Sequence, residues 1–198
     1  MSTYLHLLAV GLLLVAACTN RKQPTAPEAA APPDSVYEAQ ARAITQAAFA
    51  ALSAVLRREV SAHGPTGAVA ACHHVALPLT DSLAKAHGVE LRRTSLRIRN
   101  PCNAPDSLER RALLALAAQP LDDREQPRAW LHRSSQAVDV LLPIRLAMPA
   151  CLSCHGQPAT DIAPATLARI DSLYPEDAAR GYALGEVRGA WHVRFPPR

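Results

Sequence analysis

The sequence predicts an α+β domain: a small antiparallel sheet flanked by helices, with a long helix at its N-terminal end. Three observations predict it. Apolar residues recur at helical spacing from Asp34 to Gly64. Two runs, Ala129–Arg133 and Ala137–Leu146, read as strands around a short polar turn. Helices come first, and a mixed strand and helix region follows, which is the order of an α+β domain. The 198 residues suffice for one domain with a real core, and half of them are apolar while only 4% are aromatic. Alanine and leucine dominate, which favours helices as building material.

The elements follow in order. Asp34-Ser35 is a helix N-cap, and Ile44, Ala48, Ala51, Leu52, Val55 and Leu56 form the buried stripe of a long helix that Gly64 closes. Pro65 fits the first turn of a second helix, with Gly67 to Leu77 as its body and Pro78 as its interruption. Thr80 to His87 is a further helical piece ended by Gly88. Val89 to Arg99 has strand character, with Leu96 and Ile98 on one face and Arg97 and Arg99 on the other, until Asn100-Pro101 breaks it. Asp106 and Glu109 make a capping box for a helix through Ala118. Pro120 to Pro127 is a polar loop, and Ser134-Ser135-Gln136 joins the two strands beyond it. A short helix covers Ala165 to Leu173, a turn lies near Glu176 to Arg180, and Gly189 to Phe195 alternates as a last strand.

The N-terminal end reads differently. Residues 1–17 are mostly apolar and short, and they end in small residues before Cys18, as in a bacterial lipoprotein signal peptide. The n-region Met1-Ser2-Thr3 carries no Lys or Arg, so an ordinary signal peptide cut nearby is the other reading. Both place the chain outside the cytoplasm. In the first reading Cys18 is lipidated, residues 18–33 form a Pro- and Ala-rich tether, and residues 34–198 form the domain. Thr19 does not match the aspartate linked to inner-membrane retention, so the outer membrane is preferred. The formal charge is a mild +4, and no basic block is interleaved with aromatics, which argues against nucleic acid as a partner.

Cys151-Leu152-Ser153-Cys154-His155 carries the chemistry. Two thiols three residues apart, followed at once by an imidazole, form the attachment signature of haem c. Each sulfur adds to one vinyl group of the porphyrin, and the histidine reaches the iron from below the ring. A zinc half-site would want a second pair of ligands at similar spacing, and the chain has no other C-x-x-C. A thioredoxin-like pair would sit in a βαβ pattern. With His155 on one axial position, the second ligand comes from Cys72, His73, His74, His63, His87, His132, His192 or Met148, most of these histidines being expected at the surface. Met148 lies too near the attachment loop to reach the opposite ring face easily. Cys72 sits among apolar neighbours on a helix and would need a positive partner, which ferric iron supplies. An inert buried thiol, or a disulfide with Cys102, remain open at this level.

Four segments together resemble a family of exported c-type haem domains with a PAS-like fold, found alone or as the sensor region of membrane histidine kinases. They are Gly67 to Cys72; Arg93-Thr94-Ser95-Leu96-Arg97-Ile98-Arg99-Asn100-Pro101 with Asn103 to Asp106; Cys151 to Gly156; and Asp177, Gly181-Tyr182, Gly185 and Arg188-Gly189-Ala190. The resemblance spans about Asp34 to Phe195, and Cys102 and Ser107-Leu108 depart from the family's usual pattern. It implies a PAS-like fold and Cys72 as the thiolate ligand opposite His155. Arg93 and Arg97, by their place in the second segment, are expected at the haem propionates, which guanidinium forks match well, or in a structural role. Asn100, Asn103 and Asp106 are expected to organise the turn and cap the next helix.

A haem held by histidine and thiolate has both axial positions filled and a low reduction potential. That argues against an enzyme. The expectation is a membrane-tethered sensor of redox state or of gas, signalling to a separate protein, since the chain shows no transmembrane helix and no kinase domain. The alternative is a single-haem electron carrier of an exported redox chain. A peroxidase-type enzyme, with His155 as the only strong ligand, ranks below both.

Overall fold

A computed structural model describes residues 31–119 and 128–197. Residues 1–30, with the signal segment, Cys18 and most of the tether, lie outside the described residues, as does the expected loop 120–127.

The first helix, α1 (Asp34–His87), is two helical segments meeting at Gly64, whose φ of 67° and ψ of −178° are not helical. Only glycine adopts that backbone cheaply. Pro65 opens the second segment, where a missing N–H costs nothing. Pro78 does not interrupt it, contrary to expectation: the helix runs on to His87 and ends at Gly88 in the left-handed conformation. Pro78 is exposed, while Ala76 and Thr80 on either side are buried, and Thr80 Oγ1 donates to the Ala76 carbonyl at 2.8 Å. Packing on the inner side thus outweighs one lost backbone bond.

Four strands follow: β1 (Glu90–Thr94), β2 (Trp130–Arg133), β3 (Val138–Arg145) and β4 (Val187–Phe195). All pairings are antiparallel, in the order β1-β4-β3-β2. Helix α2 (Ser107–Ala118) precedes β2, and α3 (Leu152–His155) and α4 (Pro164–Leu173) lie between β3 and β4. The domain is therefore α+β with a four-stranded antiparallel sheet and a long N-terminal helix, consistent with a PAS-like fold. The capping box of α2 is complete: Asp106 Oδ1 accepts the Glu109 N–H at 2.7 Å and Glu109 Oε2 accepts the Asp106 N–H at 3.0 Å.

The expected strand Val89–Arg99 is too long by half. Pairing stops at Thr94, because Ser95 Oγ takes the Arg97 N–H at 3.1 Å and turns the chain out of the ladder. Leu96 is accordingly exposed rather than set on an inner face.

The pleat sorts the sheet's two faces. Leu91, Val138, Val140, Leu142, Trp191, Val193 and Phe195 face the first half of α1, where Tyr37, Ala41, Ile44 and Ala48 close the main core. Leu141 and Ala190 face Ala112, Leu113 and Leu116 of α2. Burying each such aliphatic side chain contributes about 1.5–3 kcal/mol, so these two faces dominate the fold's stability. A third cluster joins Val69, on the second half of α1, to Ile162, Ile170 and Tyr174, with Cys154 packed against it. Thr66 and Thr166 hydroxyls meet at 3.0 Å across the same seam. None of the described helices is long and apolar enough to cross a membrane.

Candidate functional site

The attachment motif lies on one turn of 3-10 helix (Pro149–Cys151) followed by α3. Gly156 ends it. A side chain there would collide with the Asp161 carboxylate, which accepts the Gln157 N–H at 2.7 Å, so the chain needs glycine to leave the motif so tightly. The segment 178–182 is laid along the motif by two backbone bonds, Gly181 N–H to the Gly156 carbonyl at 2.7 Å and Tyr182 N–H to the His155 carbonyl at 2.9 Å, while Ala178 N–H ties it to the Ile98 carbonyl beyond β1 at 2.8 Å.

Arg99 clamps these pieces together. Its guanidinium reaches both Asp177 oxygens, at 3.0 and 3.1 Å, and donates to the Cys154 carbonyl at 2.6 Å. Burial opposes ionisation of Asp177, but Arg99, the Ala179 N–H and Arg180 together hold its carboxyl below the usual carboxylate range.

His155 sits inside this clamp. Its Nδ1 lies 2.7 Å from the Ala179 carbonyl, a contact that only a protonated Nδ1 makes favourably. Arg188 Nε–H points at the same nitrogen from 3.3 Å, but the Ala179 contact is the shorter, and with the proton assigned to it the lone pair belongs to Nε2. Desolvation first, and the Arg188 and Arg99 charges next, push the imidazole's pKa down to about 3, against the opposing Ala179 carbonyl and Asp177. His155 is a neutral donor held in one tautomer, the state a metal-binding imidazole needs.

Cys72 lies on the second half of α1, facing solvent. Desolvation raises its thiol above the ordinary value, Arg93 and then Arg99 pull it down, and Glu59 pushes it up. The Cys154 thiol is raised by desolvation, lowered by Arg99, and raised by Cys72 and Cys151. The Cys154 thiol thus feels Cys72, and Arg99 acts on both. Cys72 and Cys102 are both free thiols, so the disulfide alternative is not formed here. Beside Cys72, His73 stacks edge-on against Tyr174 at 5.0 Å, and its buried Nδ1 makes no hydrogen bond.

The expected arginines divide. Arg93 projects from the α1 side of the sheet, with its guanidinium 5.8 Å from the Trp191 ring. Burial lowers its pKa, while Cys72 and Tyr174 raise it. Arg97 sits over the Tyr182 ring, its guanidinium carbon 3.9 Å from the centroid, and donates to the Ala178 carbonyl at 3.3 Å. Sequence reasoning missed a third, Arg188, at the start of β4. Its Nη1 donates to Ser95 Oγ at 2.7 Å and to the Arg97 carbonyl at 3.1 Å, and its Nε lies 3.3 Å from His155 Nδ1. Desolvation lowers its pKa to about 10. Neither Arg93 nor Arg188 has a carboxylate within ion-pair distance among the described residues.

Of the other ligand candidates, His63 pairs with Glu59 at 3.3 Å, His87 is exposed at the end of α1, Met148 is exposed, and His132 stacks on Trp130. His192 is not at the surface. It is buried in the sheet with Nδ1 2.8 Å from Glu109 and Nε2 2.8 Å from Asp139, so neither nitrogen is available to a metal.

A haem c makes three demands, and this donor set meets them: two thiols at the right spacing, an imidazole with a free lone pair next to them, and unpaired guanidiniums for anionic groups. Among the described residues, no cluster of three or more metal-ligating side chains competes for a bare ion.

A family model described as Tll0287-like matches residues 30–196. Among solved structures, the crystal structure of the cyanobacterial heme-protein Tll0287 superposes with a TM-score of 0.61 at 24% identity, covering 84% of this chain and 97% of that one. No curated protein matches the chain. The structural likeness establishes a shared fold, and the family match covers nearly the whole described domain. This chain belongs to the Tll0287-like family.

Proposed function

We propose that this chain is an exported redox sensor carrying one covalent haem c, bound through Cys151 and Cys154, with His155 and Cys72 as axial ligands. The observation that carries the reading is the state of His155: directly after two attachment cysteines, neutral, with Nδ1 tied to the Ala179 carbonyl and Nε2 left with its lone pair. The name of the solved relative, a heme-protein, supports the cofactor. A bound haem supplies a one-electron couple.

The chain's residues do the rest. Cys151 and Cys154 anchor, and Arg99 with Asp177 fixes the loop that orients His155. Arg93 brings positive charge that suits propionates and a thiolate, and Arg188 brings it to the edge of His155. Arg97, spread on Tyr182, serves a structural role better than a propionate one. Cys72 would come from the second half of α1, where burial raises its thiol overall while Arg93 and Arg99 work toward the thiolate. With His155 and Cys72 both holding the iron, no position would remain for oxygen or peroxide chemistry, so the reading is non-enzymatic. Lipidation of Cys18 would tether the domain to a membrane on the periplasmic side, the outer membrane preferred, and a separate signalling or redox protein would receive the output.

The test is absorption and electron paramagnetic resonance of purified wild type beside Cys72→Ala. Thiolate ligation predicts a ferric low-spin signature that the variant loses. Coincident spectra would remove Cys72 from the iron while leaving attachment intact. A change of ligation on reduction supports the sensor; an unchanged six-coordinate spectrum with fast electron exchange supports the carrier.

A further inference from the structure

We infer that Arg188 is a positioning residue that sets the reduction potential of the site, by fixing a positive charge beside the Nδ1 edge of the iron-ligating His155. The inference rests on the haem reading above and deepens it.

The imidazole of a metal-ligating histidine commonly donates its second N–H to a carboxylate or a backbone carbonyl; a carboxylate makes the ring a stronger donor to the metal. Here that place is arranged differently. Asp177, the carboxylate whose charge His155 feels, is turned away into Arg99, Arg180 and the Ala179 N–H. His155 Nδ1 receives only a backbone carbonyl, from Ala179 at 2.7 Å. Beside it stands a guanidinium, with Arg188 Nε at 3.3 Å. Arg188 Nε–H is aimed at that same Nδ1, but one nitrogen serves only one of the two contacts and the Ala179 carbonyl has the shorter, so Nδ1 gives the guanidinium little hold. Something else must hold it in place.

That support is visible. Ser95 Oγ and the Arg97 carbonyl accept from Nη1, and Tyr182 offers its ring 5.7 Å from the guanidinium carbon. Ser95 in turn lies within 2.8 Å of the Arg188 carbonyl, so side chain and backbone of Arg188 are gripped by one hydroxyl. No carboxylate lies within ion-pair distance of it among the described residues. A full charge placed without a partner in a poorly solvated site acts at several ångströms. It disfavours imidazolate character in His155 and stabilises ferrous over ferric iron, opposing the thiolate, which does the reverse.

The test is the midpoint potential of the purified haem-loaded protein in wild type, Arg188→Gln and Arg188→Lys, with covalent haem verified on the denatured chain. Arg188→Gln is expected to lower the reduction equilibrium constant by about tenfold or more, about 59 mV for one electron, and Arg188→Lys to restore most of the loss. An unchanged potential in Arg188→Gln, or equal falls in both variants, overturns the inference. Where Arg188→Gln fails to take haem, Ser95→Ala, which keeps the charge and removes its shortest anchor, is read instead: a shift in the same direction is expected, and none overturns it. Wild type without covalent haem, or a His155→Ala spectrum matching wild type, defeats the underlying reading and not this one.

Discussion

Two histidines of this domain, thirty-seven residues apart in sequence, show what surroundings do to one side chain. His192 lies between two carboxylates, Glu109 from α2 and Asp139 from β3, and each of its nitrogens donates to one of them. Burial alone would lower its pKa, but the bonds and charges of Glu109 and Asp139 raise it, so it is a buried imidazolium. Arg92, Thr94 and Arg194 complete the network by donating to the same two carboxylates. His155 has the opposite environment: one carbonyl, two arginines, and one nitrogen with nothing to donate. The first histidine is spent on the fold. The second is kept neutral, oriented and chemically available. What separates a structural histidine from a ligand is therefore the sign of the neighbours and the number of nitrogens they use, not burial alone.

The largest expected effect comes from breaking the structural half of this pair. His192→Leu takes the bridging cation from Glu109 and Asp139 and leaves them only Arg92 and Arg194, at a cost of about 3 kcal/mol for two lost charge-assisted bonds, read as a lower urea midpoint. Haem attachment to the folded fraction should be unaffected. Loss of haem at equal foldedness would mean that the two sites are coupled.

Next is the clamp. Asp177→Asn removes the charge that receives Arg99 and Arg180 from a side chain with no exposure. It should cost about 1–3 kcal/mol, since an amide cannot accept from all these donors. Unlike His192→Leu, it should also disturb the haem spectrum, because Ala179 and hence the His155 orientation depend on it.

The network also predicts a pH profile. His192 has a raised folded pKa, so its contribution is complete below its ordinary 6.5 and is lost as pH rises through the folded value. In Glu109, burial is outweighed by the His192 and Asp106 bonds, and in Asp139 by those of Arg194 and His192, so both pKa values are lowered. Their contributions are complete above their ordinary 4.5 and 3.8 and are lost as pH falls through the folded values. Denaturant midpoints should therefore peak between about pH 4.5 and 6.5, and His192→Leu should flatten the alkaline side of that peak. A wild-type profile unchanged across this range would mean that His192 is not charged.

The smallest effect is expected at the cap. Asp106→Ala removes the bond to the Glu109 N–H but keeps the Asp106 N–H on Glu109 Oε2, and should cost about 1 kcal/mol without altering the pH profile. A change in the profile would show that the cap, and not the triad alone, sets the charge of His192.

The two histidines also differ in how visible they were in the sequence. The His155 motif is contiguous, and the haem chemistry proposed for it is read from adjacent residues. The capping box, the β2–β3 hairpin and the left-handed Gly88 were legible for the same reason: each is decided within a few residues. His192, Glu109 and Asp139 come from three separate elements, and only the β3–β4 register and the packing of α2 on that face bring them together. One trace existed, a carboxylate at Asp139 inside the apolar run Val138 to Leu142, which a buried strand tolerates only with a partner. Pro78 misled because local helix rules ignore the packing of Ala76 and Thr80. The expected strand through Arg99 overran because Ser95, a single hydroxyl, redirects the chain toward β4 and Arg188. Arg188 itself lay within a family-like segment, but nothing in its sequence neighbourhood pointed to His155.

The central claim, that the environment of His155 belongs to a covalently attached haem, is tested most directly by mass analysis of the denatured, exported protein. Wild type is predicted to carry one haem adduct that survives denaturation, absent from a Cys151→Ala, Cys154→Ala variant that folds equally well. An adduct-free wild-type chain, produced where haem c attachment is functional, would contradict the account.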